Sequence, residues 1–272
     1  MKLGLALTPG SQAGESAAAA QDFLNRNANS FTNSKSLNFD GTNDYAEFAT
    51  DSVLPGLIGD SDFAISYWVK AADFSLSGAG LKNFFAYALY FAGGPFNYFL
   101  LGSIYGTGAS KAGRMQFKIA AGSNNYVTSE TNSAVSMTDN DWNHVVFSSK
   151  KSASSRGGNI YVNGTQVATT VTSNSAADFG SVNFGDIRIG STTINIASDS
   201  YDAIEVDEFS VYDAVLTSSD VTAIYNNGVP ADESSRSNLV GYWRMEDNGD
   251  DSSTNSNSLT ISGATFTTDV PS

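Results

Sequence analysis

Short segments in which apolar and polar residues alternate make up most of this 272-residue chain, and they constrain its fold more than any other feature. The segment Phe63–Val69 carries Phe, Ile, Tyr and Val at every second position, and Met115–Ile119 repeats the pattern. Clusters of Gly, Asn, Asp and Ser separate such segments from one another between Ser36 and Tyr212. Residues two apart share a face only in an extended strand, so the pattern predicts an antiparallel β-sandwich.

A tight hairpin is predicted within Asn159–Ala168, where Asn163 and Gly164 lie between two apolar runs. The Asn-Gly pair readily supplies the positive backbone angles that a two-residue hairpin turn requires. Asn163 also begins a glycosylation sequon, but the turn is the favoured interpretation.

One short helix is predicted to follow Thr217. Asp220 lies where an acidic group supports the free amides of a first turn, and apolar residues of Val221–Tyr225 share one face. Gly228 is of a type that commonly ends a helix, so both ends of the segment are marked.

Residues 1–35 differ from the rest and are predicted to form an N-terminal docking arm, followed by a sandwich domain over residues 36–272. Met1–Leu7 alternates like a short strand, and Ser16 can begin a short helix after a Pro-Gly break. Neither element is stable alone, so we expect the arm to dock on its own domain, on a sister subunit or on a different protein. The apolar stretch within Met1–Leu7 is shorter than the about 7 to 15 residues of a signal core, which argues against conventional secretion.

The charge balance argues against two classes of partner. The chain has 14 basic and 28 acidic residues, a formal net charge of -14. Negative charge in this excess repels the phosphates of nucleic acids and anionic membranes, so we expect no nucleic-acid and no membrane partner. No apolar run approaches the ~20 residues of a membrane-spanning helix.

The absence of cysteine and the single histidine narrow the chemistry further. Disulfides, thiolate metal sites and cysteine nucleophiles are excluded, as are zinc sites built from several histidines. A Ser-His-Asp triad would have to use His144, which we expect to be a packed strand residue.

A set of motifs in this order resembles the laminin-G-like, concanavalin-A-like jelly rolls. The motifs are Ser36–Phe48, Phe63–Val69, Asp141–Val146, Tyr161–Gly164 and Val206–Tyr212, the last followed by the short helix. The resemblance covers about residues 36–228 and implies an all-β, antiparallel jelly-roll sandwich. Motifs of this kind are fairly specific for the fold and do not indicate the ligand.

The C-terminal segments Leu239–Met245 and Leu259–Phe266 resemble the two strands that usually open such a domain, but here they come last. We expect residues 239–266 to complete the sheets or to be exchanged with a neighbouring subunit. This ordering is similar to that of laminin-G-like proteins carried on tailed bacteriophage particles. The resemblance implies a homo-oligomeric protein on the virion surface, bound to other virion proteins through the arm.

Jelly rolls also include glycoside hydrolases, which need two carboxylates about 5 to 10 Å apart. Laminarinase-like enzymes carry Glu-x-Asp-x-Glu or Glu-x-Asp-x-x-Glu on one strand, whereas Glu205-Val-Asp-Glu208 is followed by Phe and Ser where the second Glu would stand. Strand alternation predicts that Asp207 shares the inward apolar row with Phe209 and Val211, and that Glu208 lies on the opposite face. We therefore expect no catalysis.

Calcium is favoured over zinc as a bound metal, because it takes six to eight oxygen ligands and the chain is rich in Asp and Asn loops. Some laminin-G-like relatives hold a structural calcium. The residues that the resemblance makes candidate calcium ligands are Asp40, Asp44, Asp207 and Glu208. The acidic run Asp247–Asp251 is interpreted as a solvated turn.

The leading hypothesis is a non-enzymatic bacteriophage decoration, fibre or spike-associated protein that binds host-surface glycans in a secondary role. That secondary role follows from the fold resemblance alone. The alternatives are a secreted bacterial carbohydrate-binding module or adhesin, and a glycoside hydrolase of jelly-roll fold.

A glycan site needs exposed rings beside amide and carboxylate groups. Phe84–Phe91 and Phe96–Leu100 are rich in rings, most of which we expect in the core or in subunit contacts.

Overall fold

Two units divide the chain, Met1–Thr32 and Asn33–Ser272, and the fold below is that of the second. The computed structural model describes residues 31–48, 61–74, 81–88, 99–120, 126–152, 156–173, 187–192 and 200–272. The predicted docking arm lies outside the described residues as far as residue 30, so its structure and its docking role stay predictions. Across the ranges just given, no helix is long and apolar enough to cross a membrane.

Strands account for most of the described residues of Asn33–Ser272, and a short helix, α1 (Ser218–Tyr225), interrupts them. The strands are β1 (Ser36–Asp40), β2 (Tyr45–Phe48), β3 (Phe63–Lys70), β4 (Leu81–Ala88), β5 (Phe99–Tyr105), β6 (Met115–Ala120), β7 (Tyr126–Thr131), β8 (Asn143–Lys151), β9 (Arg156–Val162), β10 (Thr165–Val167), β11 (Thr169–Ser173), β12 (Ile187–Ile189), β13 (Ser191–Thr192), β14 (Ser200–Tyr201), β15 (Ala203–Tyr212), β16 (Leu239–Trp243), β17 (Leu259–Ser262) and β18 (Thr265–Thr267).

The described strands form two antiparallel sheets and a separate pair, β13 with β14. The first sheet has the order β10-β9-β8-β3-β15-β1-β18, and β16 also pairs with β15. The second sheet has the order β11-β7-β6-β5-β4-β12-β2-β17. Residues of both sheets share one apolar core, which confirms the predicted jelly-roll sandwich.

The core contains the alternating apolar residues that the sequence pattern placed on one face. Ile65 and Tyr67 of β3 are 2% and 1% exposed, and Met115 and Phe117 of β6 are fully buried opposite them. The rings of Phe117 and Phe147 stack with their centroids 4.5 Å apart. Burying a side chain of this size stabilises the fold by roughly 1.5 to 3 kcal/mol, so the pattern that marks a strand also decides which of its faces turns inward.

Helix α1 covers part of the outer face of the first sheet. Val221 and Ile224 are fully buried in a second apolar cluster with Val146 of β8, Tyr161 of β9 and Tyr212 of β15. A second, smaller apolar core therefore lies between α1 and the outer face of the first sheet.

The helix begins where the sequence predicted. The Thr217 side chain accepts a hydrogen bond from the backbone N–H of Asp220, and the Asp220 carboxylate accepts one from the backbone N–H of Thr217 at 2.9 Å. Helix α1 ends at Tyr225, before the predicted end at Gly228, because Asn226 and Asn227 adopt left-handed angles, with φ of 45° and 59°. Asparagine tolerates this conformation. A 3₁₀ turn over Asn226–Gly228 follows, and it ends at Gly228, which has a φ of 100°.

The C-terminal strands add to both sheets of the same chain. β16 pairs with β15 and β18 pairs with β1 in the first sheet, while β17 pairs with β2 in the second. Exchange of these strands with a neighbouring subunit stays a prediction.

The predicted hairpin joins β9 to β10 through Asn163 and Gly164, with φ of 48° and 75°. The Asn163 Oδ1 atom accepts a hydrogen bond from the backbone N–H of His144 at 2.8 Å, which ties the turn to β8. A Cβ atom on Gly164 would lie 2.5 Å from the ring of Tyr225, so both the backbone angle and the available space require glycine.

We expect Gly164→Ala to lower the free energy of unfolding by about 2 to 4 kcal/mol, because it combines a left-handed backbone with a clash against the Tyr225 ring. Urea denaturation measures the difference. Gly157→Ala is the control, since its Cβ would meet only the exposed side chain of Val171, at 3.3 Å, and we expect a change within about 0.5 kcal/mol. Equal losses in the two variants would contradict the packing argument.

Candidate functional site

A β-bulge in the middle of β15 decides where its acidic residues lie. Glu208 has a φ of 47°, and the register with β3 shifts between Asp207 and Ser210. The residues of β15 that belong to the apolar core are Ile204, Val206, Phe209 and Val211. The prediction that Asp207 shares the inward row with Phe209 and Val211 is therefore wrong. An extra residue in the strand reverses the alternation, so Val206 and Phe209 both face inward.

The bulge also marks the point where β15 changes partner. Along the edge opposite β3, β1 pairs with residues 203–206 and β16 pairs with residues 209–212. Asp207 and Glu208 lie at this junction, where the chain enters β1 at Ser36 and leaves β16 at Trp243.

Donors from both of these segments reach the two acids. Asp207 accepts a hydrogen bond from the side-chain amide of Asn33 at 2.8 Å and another from the backbone N–H of Glu208 at 2.9 Å. Glu208 accepts a hydrogen bond from the hydroxyl of Tyr242, and its Oε1 atom lies 3.7 Å from the Arg244 guanidinium. The acids therefore hold the start of β1 and the end of β16 together.

Burial raises the pKa of both carboxyl groups well above their ordinary values. Asp207 is fully buried and Glu208 is 1% exposed, and the loss of hydration disfavours the charged form of each. The charge of Asp207 raises the pKa of Glu208 further, whereas the hydrogen bond from Asn33 opposes the rise in the pKa of Asp207. Adjacent acids of this kind titrate as a pair.

A third buried acid, Glu233, was missed by sequence analysis because it lies in a polar stretch that has the composition of a solvated loop. Glu233 is 1% exposed and accepts hydrogen bonds from the hydroxyls of Ser210, at 3.0 Å, and Tyr212. Burial raises the pKa of Glu233 to about 7, and the two hydroxyl donors limit the rise.

The structure does not bring the four predicted calcium ligands together. Asp40 is opposite Ala203 in the β1–β15 register, and Asp207 falls level with Ser36, four residues along β1. This separation amounts to ~13 Å of strand. Within the described ranges, no three His, Cys, Asp or Glu side chains form a group that could hold a metal ion.

The four carboxylates are also engaged within the protein. Asp44 accepts a hydrogen bond from the backbone N–H of Asp40 at 2.9 Å, and Asp40 accepts one from that of Thr42 at 2.7 Å. A calcium ion needs six to eight oxygens, so Asp40, Asp44, Asp207 and Glu208 do not fit a single calcium site. Calcium binding by this protein stays a prediction.

The single histidine lies in a closed environment. His144 is fully buried, its Nε2 atom is 2.8 Å from the Ser66 hydroxyl, and its ring contacts those of Trp68 and Tyr225. Burial lowers the pKa of His144 to about 3. Among the described residues the Nδ1 atom has no hydrogen-bond partner, so within this part of the chain the serine and histidine lack the acid that a catalytic triad requires.

The outer face of the second sheet carries a different set of side chains. On β6 and β7, Phe117 and Val127 face the core, and the residues that alternate with them point the other way. We call a set of described side chains on the outer side of this sheet and on the β5–β6 connection the polar face: Tyr45, Glu47, Ser103, Tyr105, Lys111, Arg114, Gln116, Lys118, Tyr126, Glu130 and Arg188. Within the set, Ser103 is fully buried and Gln116 is 6% exposed.

The best-defined part of the polar face surrounds Tyr105. Its hydroxyl lies 3.0 Å from Gln116 Oε1 and 3.1 Å from Glu130 Oε2. Glu130 also forms ion pairs with Lys111 at 2.6 Å and Arg114 at 3.4 Å. A half-buried ring, a half-buried carboxylate and an amide that is 6% exposed thus converge on adjacent strands. These are the group types that a glycan site combines, although the ring is less exposed than the sequence analysis required.

These rings are not in the aromatic stretches that the sequence singled out. The side chains of Phe84–Phe91 and Phe96–Leu100 lie outside the described residues. The expectation that most of their rings lie in the core or in subunit contacts therefore stays a prediction. Tyr105 and Tyr126 are far apart in sequence, and the register of β5, β6 and β7 brings them to the same face. A search for segments rich in aromatic residues cannot find such a pair.

We expect Glu233 to make stability depend on pH. Its carboxyl has a pKa of 4.5 when unfolded and about 7 when folded. The stability that Glu233 contributes is therefore fully present below pH 4.5 and is lost as the pH rises through 7. The loss is roughly 3 kcal/mol, and Glu233→Gln should remove it. Urea denaturation from about pH 4 to about pH 8 measures the difference. The control Asp250→Asn removes an exposed acid of the Asp247–Asp251 run and should keep the wild-type profile. An unchanged profile in Glu233→Gln would contradict the assignment.

A solved heptameric SAP-like pentraxin from Limulus polyphemus is 15% identical, with a TM-score of 0.52 over 86% of this chain and 94% of the pentraxin chain. A solved "putative carbohydrate binding protein" from Bacteroides ovatus is 17% identical, with a TM-score of 0.53 over 89% of this chain and 62% of that chain. At these identities the likeness shows the fold alone. A search of the curated proteins finds no match.

The family comparison covers most of the sandwich. A laminin G family model, described as the concanavalin A-like lectin/glucanases superfamily, matches residues 40–222. The match runs from the end of β1 through β15 and into α1, and therefore includes the strands that form the polar face. The chain belongs to the concanavalin A-like lectin/glucanases superfamily.

Proposed function

We propose that this protein binds carbohydrate on the polar face and catalyses no reaction. The observation that carries the proposal is the convergence of the Tyr105 ring, the Gln116 amide and the Glu130 carboxylate on three adjacent strands. A pyranose has an apolar face of C–H bonds and a rim of hydroxyls, so a ring and fixed polar groups together match both of its surfaces.

The polar groups are held in place before any ligand arrives. Gln116 donates a hydrogen bond to Ser103 at 3.1 Å while its carbonyl faces Tyr105. Its neighbours across the ladder are Ser103 on β5 and Glu130 on β7, so strand register fixes their spacing. Groups fixed in this way lose little conformational freedom on binding.

The two outer faces of the sandwich differ in what they offer a ligand. Tyr161 and Tyr212 on the first sheet are covered by α1 and are 2% and 1% exposed. Tyr105, Tyr126 and Glu130 on the second sheet are half-buried and keep part of their surface accessible. The second sheet is therefore the better surface for a sugar.

The acids of β15 support a binding role over hydrolysis. Glycoside hydrolysis needs two carboxyl groups about 5 to 10 Å apart on either side of the scissile bond. Asp207 and Glu208 are at most 1% exposed and accept hydrogen bonds from Asn33 and Tyr242, while Glu205 lies 3.8 Å from Lys70. Carboxylates buried to this extent do not meet a polymer substrate.

Relatives support the same assignment at a coarser level. The superfamily includes both lectins and glucanases, and the Bacteroides ovatus protein is named for carbohydrate binding. The fold is compatible with either activity, so the choice rests on the polar face and on the buried acids.

The placement of this domain on a bacteriophage particle, with an oligomeric state and virion partners, stays a proposal. It rests on the order of the C-terminal strands and on the arm of residues 1–35. Mass spectrometry of purified particles should detect the chain among the virion proteins. Its absence from particles, with a signal-bearing precursor in the bacterial host, would favour a secreted module instead.

We expect Tyr105→Ala to weaken binding to a polysaccharide panel by at least about tenfold, because it removes the ring and the partner of two polar groups. Isothermal titration calorimetry measures the affinity. The control is Trp142→Ala, which removes a half-buried ring next to β8 of the first sheet and should leave binding unchanged. Reducing-sugar release from the same panel should be nil, and release that Glu205→Gln abolishes would overturn the non-enzymatic assignment.

A further inference from the structure

Each described tyrosine ring of the polar face has a cation over it. The Lys111 ammonium is 5.5 Å from the centroid of Tyr105, and the Lys118 ammonium is 4.7 Å from that of Tyr126. At the other side of the sheet, the Arg188 guanidinium lies 4.1 Å from the ring centroid of Tyr45. All three distances fall within the roughly 6 Å over which a ring attracts a cation.

The charge of the polar face is opposite in sign to that of the chain. Its described ionisable groups are the cations Lys111, Arg114, Lys118 and Arg188 and the acids Glu47 and Glu130. Four cations against two acids leave an excess of two positive charges, whereas the whole chain has 14 basic against 28 acidic residues. A positive patch on a negative protein is a local field that selects anionic ligands.

Ion pairs with Glu130 hold two of the cations in position within the site. Lys111 and Arg114 both pair with Glu130, whose Oε2 atom also faces the Tyr105 hydroxyl. Lys118 is partly buried, and burial lowers its pKa.

The cations also change which sugars can use the rings. A neutral sugar that stacks on a ring competes with the cation over that ring and gains no charge in return. A sugar with a carboxylate or a sulfate can leave the cation in place and accept charge-assisted hydrogen bonds from it.

We propose that the polar face selects acidic glycans, polymers that carry uronate carboxylates or sulfate esters, over neutral ones. This inference rests on the proposed glycan-binding function and names its ligand class. The shared chemistry is an anionic group on a sugar ring, positioned by Lys111, Arg114 and Lys118.

Two matched pairs of polymers test the inference with the full-length protein. Polygalacturonate is compared with its methyl ester, and dextran sulfate with dextran, so that each pair shares a backbone and differs in charge. We expect the charged member to bind at least about tenfold more tightly in calorimetry at about 20 mM NaCl, and the preference to shrink at about 500 mM. Comparison of the two pairs tells whether carboxylate or sulfate is preferred.

Lys118→Gln is the diagnostic variant. It should weaken binding of the charged polymers by about fivefold or more. Binding of the neutral polymers should stay the same or become tighter, because the Tyr126 ring loses the cation that competes for it. Lys150→Gln removes an exposed cation of β8 on the first sheet and should change neither. A thermal melt of each variant checks that it is folded.

The outcomes separate this inference from the function on which it rests. Equal binding of charged and neutral polymers would overturn the acidic selectivity and leave glycan binding intact. Failure to bind any of the four polymers would count against both. A charge preference that Lys150→Gln weakens as much as Lys118→Gln would show attraction to the whole surface and overturn the assignment to the polar face.

Discussion

The β-bulge at Glu208 is the local constraint on which the rest of the first sheet depends. It lets one strand present Val206 and Phe209 to the same core while Asp207 and Glu208 turn away from it. The edge of β15 that pairs with β1 before the bulge is free to pair with β16 after it. The late strand β16 therefore enters the sheet beside β1 without displacing it, and the two acids fill the gap between them.

Carboxylates perform in this protein a role that disulfides have in others. The chain has no cysteine, and acidic side chains fix both ends of the domain. Glu246 accepts hydrogen bonds from the backbone N–H of Ser34 at 2.6 Å and from the Ser34 hydroxyl, just before β1. Asp269 accepts one from the indole of Trp142 at 2.9 Å and pairs with Lys70. Some of the acidic residues thus have a structural role, although the buried ones lose hydration, which costs free energy.

Features formed by residues close together in sequence were predicted correctly, and features that depend on distant contacts were missed. The capping box of Thr217 and the Asn163-Gly164 turn involve residues close in sequence, so their residue types are sufficient evidence. The bulge was missed because glutamate is not a residue type that marks left-handed backbone. Glu233 was missed because burial of a polar loop is decided by what packs over it. The polar face was missed because its rings come from different strands and are brought together only by register.

The difference between the two outer faces links the fold to the proposed function. β8 and β9 carry Val146 and Tyr161 outward, and this apolar surface is stable only under a cover, which α1 provides. β6 and β7 carry Gln116, Lys118 and Glu130 outward, which need no cover because they remain partly hydrated or paired. Among the described residues, the second sheet is the one that presents aligned polar groups on its outer face. Since the superfamily fold fixes no ligand, the ligand that we propose for this member rests on the chemistry of that face.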